Sequence, residues 1–179
     1  MAAAALFAVA ASEARDGFSV ERAELRPIGG VYVLDGDARY AFSADSIEAL
    51  ANGVPLTLVI RCTVDRERRF WWNERIADFR ERLDIRYHPL GKLYLMQYSD
   101  RGPAQSYASL EALLAEMGSI RGVPVMPASR VEADQRYRAS LSIWLDIEAL
   151  PLPLRPFAYL SPSWYLGSPA YRWSFEKSD

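Results

Sequence analysis

The sequence contains a single cysteine and a single histidine among its 179 residues. One thiol and one imidazole cannot build an intramolecular disulfide, a structural zinc site or an iron–sulfur cluster. Cations are not in excess either, since 21 Lys and Arg face 23 Asp and Glu and the net charge is −2. Nucleic-acid binding requires a surplus of cations. We therefore expect no metal, no cofactor and no nucleic-acid partner.

Sequence motifs of enzymes are missing as well. The chain has no glycine-rich phosphate-binding loop, no Gly-x-Ser-x-Gly sequence and no residue spacing typical of a metal site. Because no catalytic constellation can be recognised, the residues indicate no reaction. We expect a protein that binds rather than one that catalyses.

The chain begins with an alanine-rich apolar run over residues 1–11. About ten apolar residues match the hydrophobic region of a signal peptide, whereas a membrane-spanning helix needs about 20. Small residues that signal peptidase accepts stand before cleavage points near Ala11 or Ala14. We therefore predict a cleaved leader over residues 1–14 and a periplasmic protein, although no Lys or Arg precedes the run. An alanine-rich N-terminal helix is the alternative.

Strict alternation of apolar and polar residues, which is typical of a half-buried strand, occurs in several later segments. The clearest are residues 32–42, 56–64, 137–147 and 171–175.

An N-terminal hairpin is predicted from the first of these strands. Residues 18–26 also look extended, and Gly29 and Gly30 supply the turn between them and residues 32–42. The phase of the alternation changes near Glu21, which predicts a β-bulge there.

Two short helices are expected. Ser43 can cap the first, which ends at Gly53 and places Ile47 and Leu50 on one face. The second covers residues 109–117 and carries an apolar stripe.

Two segments are harder to assign. Residues 72–87 fit both helical spacing and strand parity, the latter broken by Glu81, although residues 83–87 are clearly extended. Residues 150–169 contain five prolines and predict an irregular, semi-rigid loop.

Seven or more strands with two short helices indicate a mainly β protein, an antiparallel β-sandwich that is immunoglobulin-like in general architecture. A parallel sheet would need a helix after nearly every strand, and the helices are too few. No repeat, linker or low-complexity tract divides the chain. We predict one domain over residues 15–179.

Six short motifs follow one another along the chain: residues 31–35 (VYVLD), 50–56 (LANGVPL), 83–90 (LDIRYHPL), 109–113 (SLEAL), 145–151 (LDIEALP) and 171–173 (YRW). In this order they resemble a proteobacterial family catalogued as domain of unknown function 4390. The resemblance implies an exported, β-rich protein of unknown activity, encoded near a membrane sensor kinase of the nitrogen-regulation type. It also favours a strand over residues 76–87, and it supplies no functional residues.

Two groups of side chains could carry chemistry. Cys62 and His88 are the one possible thiol–imidazole pair, but Cys62 lies in the apolar row of a strand and His88 in a turn. Asp35 and Asp37 point the same way from one strand and could act as acid and base or bind calcium. We favour a buried cysteine, a turn histidine and a solvated strand face for the two aspartates.

Two aromatic clusters form the predicted contact surface. One is a basic–aromatic segment with Arg66, Arg68, Arg69, Trp71 and Trp72, which suits an anionic lipid surface or an acidic protein. In the alternative, which we favour, its Trp residues fold into the core.

The second cluster, near the C-terminus, includes Trp164, Tyr165 and Trp173. Exposed aromatics there could stack on sugar rings, but we favour aromatics that plug an end of the core.

From these features we expect an exported, non-enzymatic module that binds an envelope protein, in keeping with the sensor kinase that the resemblance implies. Peripheral membrane contact is possible for the basic–aromatic segment. The alternative is a carbohydrate- or peptidoglycan-binding module that uses Trp164 and Trp173. An enzyme built on Asp35 and Asp37 is the third hypothesis.

Overall fold

The computed structural model describes residues 17–68, 72–99 and 101–177. Within these residues the chain is mostly strand, with two antiparallel sheets and three short α-helices. The predicted mainly β, antiparallel sandwich is therefore confirmed. The predicted leader over residues 1–14 lies outside the described residues. None of the helices in the described part is long and apolar enough to cross a membrane.

The sheets differ in size. The strands are β1 (Gly17–Ile28), β2 (Val31–Ala41), β3 (Leu56–Arg66), β4 (Glu74–His88), β5 (Leu93–Tyr98), β6 (Arg101–Tyr107), β7 (Ser119–Pro127), β8 (Arg136–Leu145) and β9 (Tyr171–Glu176). The helices are α1 (Ala44–Ala51), α2 (Leu110–Met117) and α3 (Arg155–Leu160). The smaller sheet has the order β1-β2-β7, and the larger has the order β6-β5-β4-β3-β8-β9.

The predicted N-terminal hairpin is confirmed. β1 and β2 pair along their whole length, and Gly29 and Gly30 in the turn adopt φ values of 58° and 84°. Glycine enters this left-handed region without steric cost. The predicted bulge is also present, as a register shift between Val20 and Arg22.

The core lies between the two sheets, and β3 supplies its central row. β3 is paired on one side with β4 and on the other with β8. Its inward residues are apolar and buried: Leu56, Leu58, Ile60, Cys62 and Val64. The same hydrophobic cluster contains buried residues of the smaller sheet, among them Phe18, Leu25, Tyr32, Leu34 and Tyr40. Removing this apolar surface from water is the main favourable contribution to folding.

Residues 72–87 form a strand from Glu74 onward, not a helix. β4 pairs with β3 from Glu74 to Ile85, so its backbone hydrogen bonds are satisfied in the sheet. Glu81, which breaks the apolar parity, still lies in the buried row. The Nε atom of Arg101 donates to its carboxylate at 2.6 Å. A long-range ion pair therefore explains the break in the pattern.

Both predicted helices are present, the first with the expected cap at Ser43 and the second with a cap at Ser109 that was not predicted. The hydroxyls of Ser43 and Ser109 each accept a backbone N–H from the first turn of the following helix. The expected apolar face of α1 is wrong in one respect, because Leu50 is buried but Ile47 is exposed.

The prediction of a wholly irregular loop over residues 150–169 is wrong. This segment contains α3 and a 3-10 turn, Pro162–Trp164. Pro156 lies in the first turn of α3, where its missing N–H has no intrahelical partner to lose. Proline therefore permits this helix.

The pairing of Glu81 with Arg101 generates a test of stability. The Glu81 side chain is 3% exposed and that of Arg101 is 36% exposed. Arg101→Ala leaves a buried carboxylate without a partner, and we expect it to lower the free energy of unfolding by about 3 kcal/mol. Glu81→Ala should cost less, because the remaining guanidinium can reach water. Urea denaturation of both variants measures the difference.

The control for this test is Arg39→Ala, which breaks the exposed ion pair with Glu21. Such pairs contribute about 0–1 kcal/mol. A larger loss of stability for Glu81→Ala than for Arg101→Ala would contradict the argument.

Candidate interaction surfaces

Cys62 and His88 do not form a dyad. Cys62 is fully buried opposite Phe79 of β4, and burial raises the pKa of its thiol to about 12. His88 lies nine residues further along β4, roughly 30 Å away at the rise of a strand. Its Nδ1 atom accepts the N–H of Gly91 at 3.0 Å within the turn. The predicted buried cysteine is confirmed, whereas His88 is the last residue of β4 and only its side chain bonds into the following turn.

Asp35 and Asp37 do not both lie on a solvent-exposed face of the strand. Asp35 is buried because β2 is flanked by β1 and β7, so our expectation is wrong at this position. Its carboxylate accepts from Nε of Arg26 at 2.7 Å and from the N–H of Gly122 at 2.8 Å. Asp37 pairs with Arg121.

The charges of both carboxylates are thus matched by arginines of the neighbouring strands. The depression at this place holds about 120 Å³, whereas ligand pockets usually hold about 300–1,000 Å³. The arrangement serves to join the three strands of the smaller sheet.

The basic–aromatic segment lies at the connection between β3 and β4. Arg69 and Trp71 fall outside the described residues. Trp72 is 92% exposed, so the interpretation that it folds into the core is wrong.

The described arginines of this connection are paired with carboxylates. Arg66 lies 3.1 Å from Glu132 and 3.6 Å from Glu74, and Arg68 also pairs with Glu74. Their charge is therefore largely neutralised on the protein itself, which weakens the case for contact with anionic lipid.

The C-terminal aromatics separate into buried and exposed residues. Trp164 is buried in the core and Trp173 is half-buried beside Tyr171. The interpretation of a core plug is confirmed for Trp164, which is not available as a contact residue. Tyr165 is exposed, and its hydroxyl donates to the carbonyl of Tyr159 at 2.9 Å.

A surface that the sequence analysis did not identify lies in the same region. We call residues 151–165 the Pro-rich lobe. It contains α3 and exposes several large apolar or aromatic side chains: Leu152, Phe157, Tyr159, Leu160 and Tyr165. The signal in the sequence was the near absence of charge, since Arg155 is the one charged residue between positions 149 and 170.

The lobe is held firmly on the sandwich. Ala158 and Trp164 are buried beneath it. Nε of Arg155 donates to the carbonyl of Leu150 at 2.8 Å, and the Ser163 hydroxyl donates to Asp45 of α1. The exposed side chains therefore stand on an anchored element.

The outward face of the larger sheet is a second surface that was not predicted. Arg80, Arg82 and Arg86 alternate along β4 on this face, and Trp144 of β8 lies across β3 from Arg82. Asp146 follows β8, with its carboxylate 3.6 Å from the Arg82 guanidinium. The outward residues of β4 and β8 carry the signal, but the sequence does not show that β3 brings these two strands together.

Comparison with known proteins gives one match. The family model described as "Domain of unknown function (DUF4390)" matches residues 15–174, which confirms the resemblance drawn from the six motifs. No curated protein and no solved structure matches the chain.

The buried carboxylate of Asp35 generates a prediction about pH. Burial alone raises its pKa, but the hydrogen bond from Gly122 and the charge of Arg26 outweigh that effect, so the pKa is lowered. The ionised form thus stabilises the fold above the pKa of the unfolded chain, near 4, and this contribution is lost as pH falls through the folded pKa.

We expect Asp35→Asn to lower the free energy of unfolding by about 1–3 kcal/mol at pH 7. The difference from wild type should shrink below about pH 4. Urea denaturation between pH 7 and pH 3 measures both effects. Asp37→Asn, whose ion pair is exposed, is the control and should cost about 0–1 kcal/mol. A difference that is independent of pH would contradict the assignment.

Proposed function

The chain belongs to the family described as "Domain of unknown function (DUF4390)", and we propose that it is an exported, non-enzymatic module that binds an envelope protein through its Pro-rich lobe. The observation that supports this proposal is the exposure of Leu152, Phe157, Tyr159, Leu160 and Tyr165 on one anchored element. Exposed clusters of large apolar side chains are typical of interaction sites.

The lobe has the physical properties of a protein-docking element. Phe157 and Leu160 are three residues apart on α3 and so share a face of the helix. Prolines within and beside the helix, together with buried Trp164, restrict its motion. A rigid element loses little conformational entropy on binding, and aromatic residues often dominate the energy of an interface.

The near absence of charged residues from the Pro-rich lobe indicates which kind of partner surface it can bind. Helices that bind the surface of anionic membranes carry Lys and Arg beside their apolar residues. In the lobe, Arg155 is the sole cation, and its Nε atom is already bonded to a carbonyl. An uncharged apolar groove on a protein therefore suits the lobe better than a bilayer. A membrane sensor kinase, implied by the resemblance, is the first partner to test.

The glycan alternative loses its original support. Trp164 is buried, and Trp173 packs against the hydrophobic core beside Tyr171 with its indole N–H buried, so these two indoles do not offer a platform for a sugar ring. The hypothesis of peripheral membrane contact through the β3–β4 connection is supported by the exposed Trp72. It is weakened because Arg66 and Arg68 beside it are already paired with carboxylates.

Export generates its own prediction. We expect the full chain, expressed in a proteobacterium, to be recovered from the periplasmic fraction with an N-terminus at Ser12 or Arg15. Intact mass measurement of the purified protein identifies the cleavage site. A variant with Ala8→Arg, which interrupts the apolar run, should remain in the cytoplasm and uncleaved. Recovery of the unmodified chain in the cytoplasm with all 179 residues would overturn the proposal of export.

Docking through the lobe is tested with a photoreactive amino acid at Leu160, which is 86% exposed. We expect a discrete protein adduct in cells of the native host. Phe157→Ser in the same chain should reduce the adduct, since loss of an interface hot spot of about 2 kcal/mol weakens binding roughly thirtyfold. Circular dichroism should show that Phe157→Ser remains folded.

The matched control places the same photoreactive group at Leu90, which is 94% exposed in the β4–β5 turn. It should give no adduct. Equal adducts at both positions would show non-specific contact. An adduct at Leu160 to lipid rather than to protein would replace the proposal by membrane association.

A further inference from the structure

The outward face of the larger sheet has two adjoining depressions. The first holds about 420 Å³ and is lined by Val59, Arg80, Arg82, Ser99, Trp144 and Asp146. The second holds about 300 Å³, and its lining includes Thr57, Asp84, Arg86, Leu95 and Gln97.

The two depressions meet along β4. Arg82 lines the first and Asp84 lines the second, and residues two apart on a strand point to the same side. Their Cα atoms are roughly 7 Å apart. These neighbouring depressions lie across β8, β3, β4 and β5, and we call them together the sheet-face groove. Two depressions side by side can hold neighbouring units of a chain-like ligand.

The groove offers two arginines that form no close hydrogen bond with a carboxylate of the described residues. Among these residues, the carboxylate oxygen nearest to Nε of Arg80 belongs to Asp78 at 3.6 Å, and Arg82 is likewise 3.6 Å from Asp146. These distances exceed that of a normal hydrogen bond. Asp78 is instead committed to Arg61, with bonds of 2.8 and 2.7 Å.

This loose pairing differs from the arrangement of three other arginines. Arg61, Arg75 and Arg101 each form two-pronged contacts with a single carboxylate. Such contacts use most of the directional donors of the guanidinium group. Arg80 and Arg82 retain their donors, so an anionic ligand can bind them without breaking a strong pair.

Trp144 adds an aromatic platform next to these cations. It points outward from β8, and Val59 separates it from Arg82 across the sheet. The carboxylate of Asp146 and the hydroxyl of Ser99 complete the lining. The groove thus combines a ring face, two guanidinium groups and two hydrogen-bond acceptors.

We propose that the sheet-face groove binds a carboxylated saccharide chain. The indole of Trp144 packs against the apolar face of a pyranose ring, and Arg80 and Arg82 hold the carboxylate of that sugar or its neighbour. Asp146 accepts hydrogen bonds from sugar hydroxyls. The two guanidinium groups and the carboxylate of Asp146 then each have a partner on the ligand, as the few polar groups that orient a ligand in a binding site do.

An acidic peptide fits the groove less well. Extended peptides gain most of their affinity by pairing with the free edge of a sheet, whereas the groove lies on a face, where β3 and β4 already pair with their neighbours. Asp84 and Asp146 can accept hydrogen bonds from the hydroxyls of a sugar, which the side chains of an acidic peptide do not offer. The proposal uses residues different from those of the Pro-rich lobe and can fail or succeed independently of it.

The test uses trigalacturonate as the acidic probe and its trimethyl ester as the neutral match. We expect the wild-type protein to bind the acid in calorimetric titration and to bind the ester about tenfold more weakly, since the ester cannot form charge-assisted bonds. In NMR titration, the indole N–H signal of Trp144 should shift on addition of the acid. Equal affinity for acid and ester, or no shift of this signal, would overturn the proposal.

Variants locate the site. Trp144→Ala should abolish detectable binding, and Arg80→Gln with Arg82→Gln should reduce affinity for the acid while leaving affinity for the ester unchanged. The matched controls, Trp72→Ala and Arg39→Gln, remove exposed side chains elsewhere and should bind as wild type.

If Trp144→Ala does not fold, Trp144→Tyr, which keeps an aromatic face, should retain binding, whereas Trp144→Leu should lose it. Binding that persists in Trp144→Leu would contradict the proposal that an aromatic ring at this position packs against the sugar. A tetraglutamate peptide that competes as strongly as trigalacturonate would show instead a site for acidic peptides.

Discussion

β3 is the strand on which the other parts of the larger sheet depend. It has a hydrogen-bonded neighbour on both sides, β4 and β8, and its inward row is entirely apolar and buried. A one-residue slip of register would turn this row to solvent, so the register is strongly fixed. The same register places Arg82 and Trp144 on either side of Val59. The geometry of the outward groove therefore follows from burial of the opposite face.

Ion pairs between residues far apart in the sequence hold together strands whose proximity the hydrophobic periodicity of the sequence does not predict. Arg101 at the start of β6 pairs with Glu81 of β4, two strands away. Arg26 and the N–H of Gly122 reach Asp35 from β1 and β7. Burial of a carboxylate is costly unless it is paired and hydrogen-bonded. These pairs explain why charged residues are found in buried rows, whereas the exposed Arg80 and Arg82 are only loosely paired.

The sequence predicted strands with regular alternation well, because period two directly reports one buried face. β2, β3, β8 and β9 belong to this class. β6 and β7 were missed, since Gly102 with Pro103 and Gly122 with Pro124 interrupt them. The candidate surfaces were harder to predict. Exposure of Trp72 and burial of Trp164 depend on neighbours distant in the chain, so an aromatic residue type alone could not distinguish them.

The Pro-rich lobe and the sheet-face groove are joined through the end of β8. The N–H of Leu145 donates to the carbonyl of Leu166 at 2.9 Å, and Trp144 forms a bridge with Gly167. A Cβ added at residue 167 would lie 3.3 Å from the Cβ of Trp144, so a larger residue there would crowd the base of the Trp144 side chain. The segment that follows the lobe thus also packs beside the aromatic platform. Because interiors are closely packed, the position of Trp144 in the groove depends on the backbone that leaves the lobe.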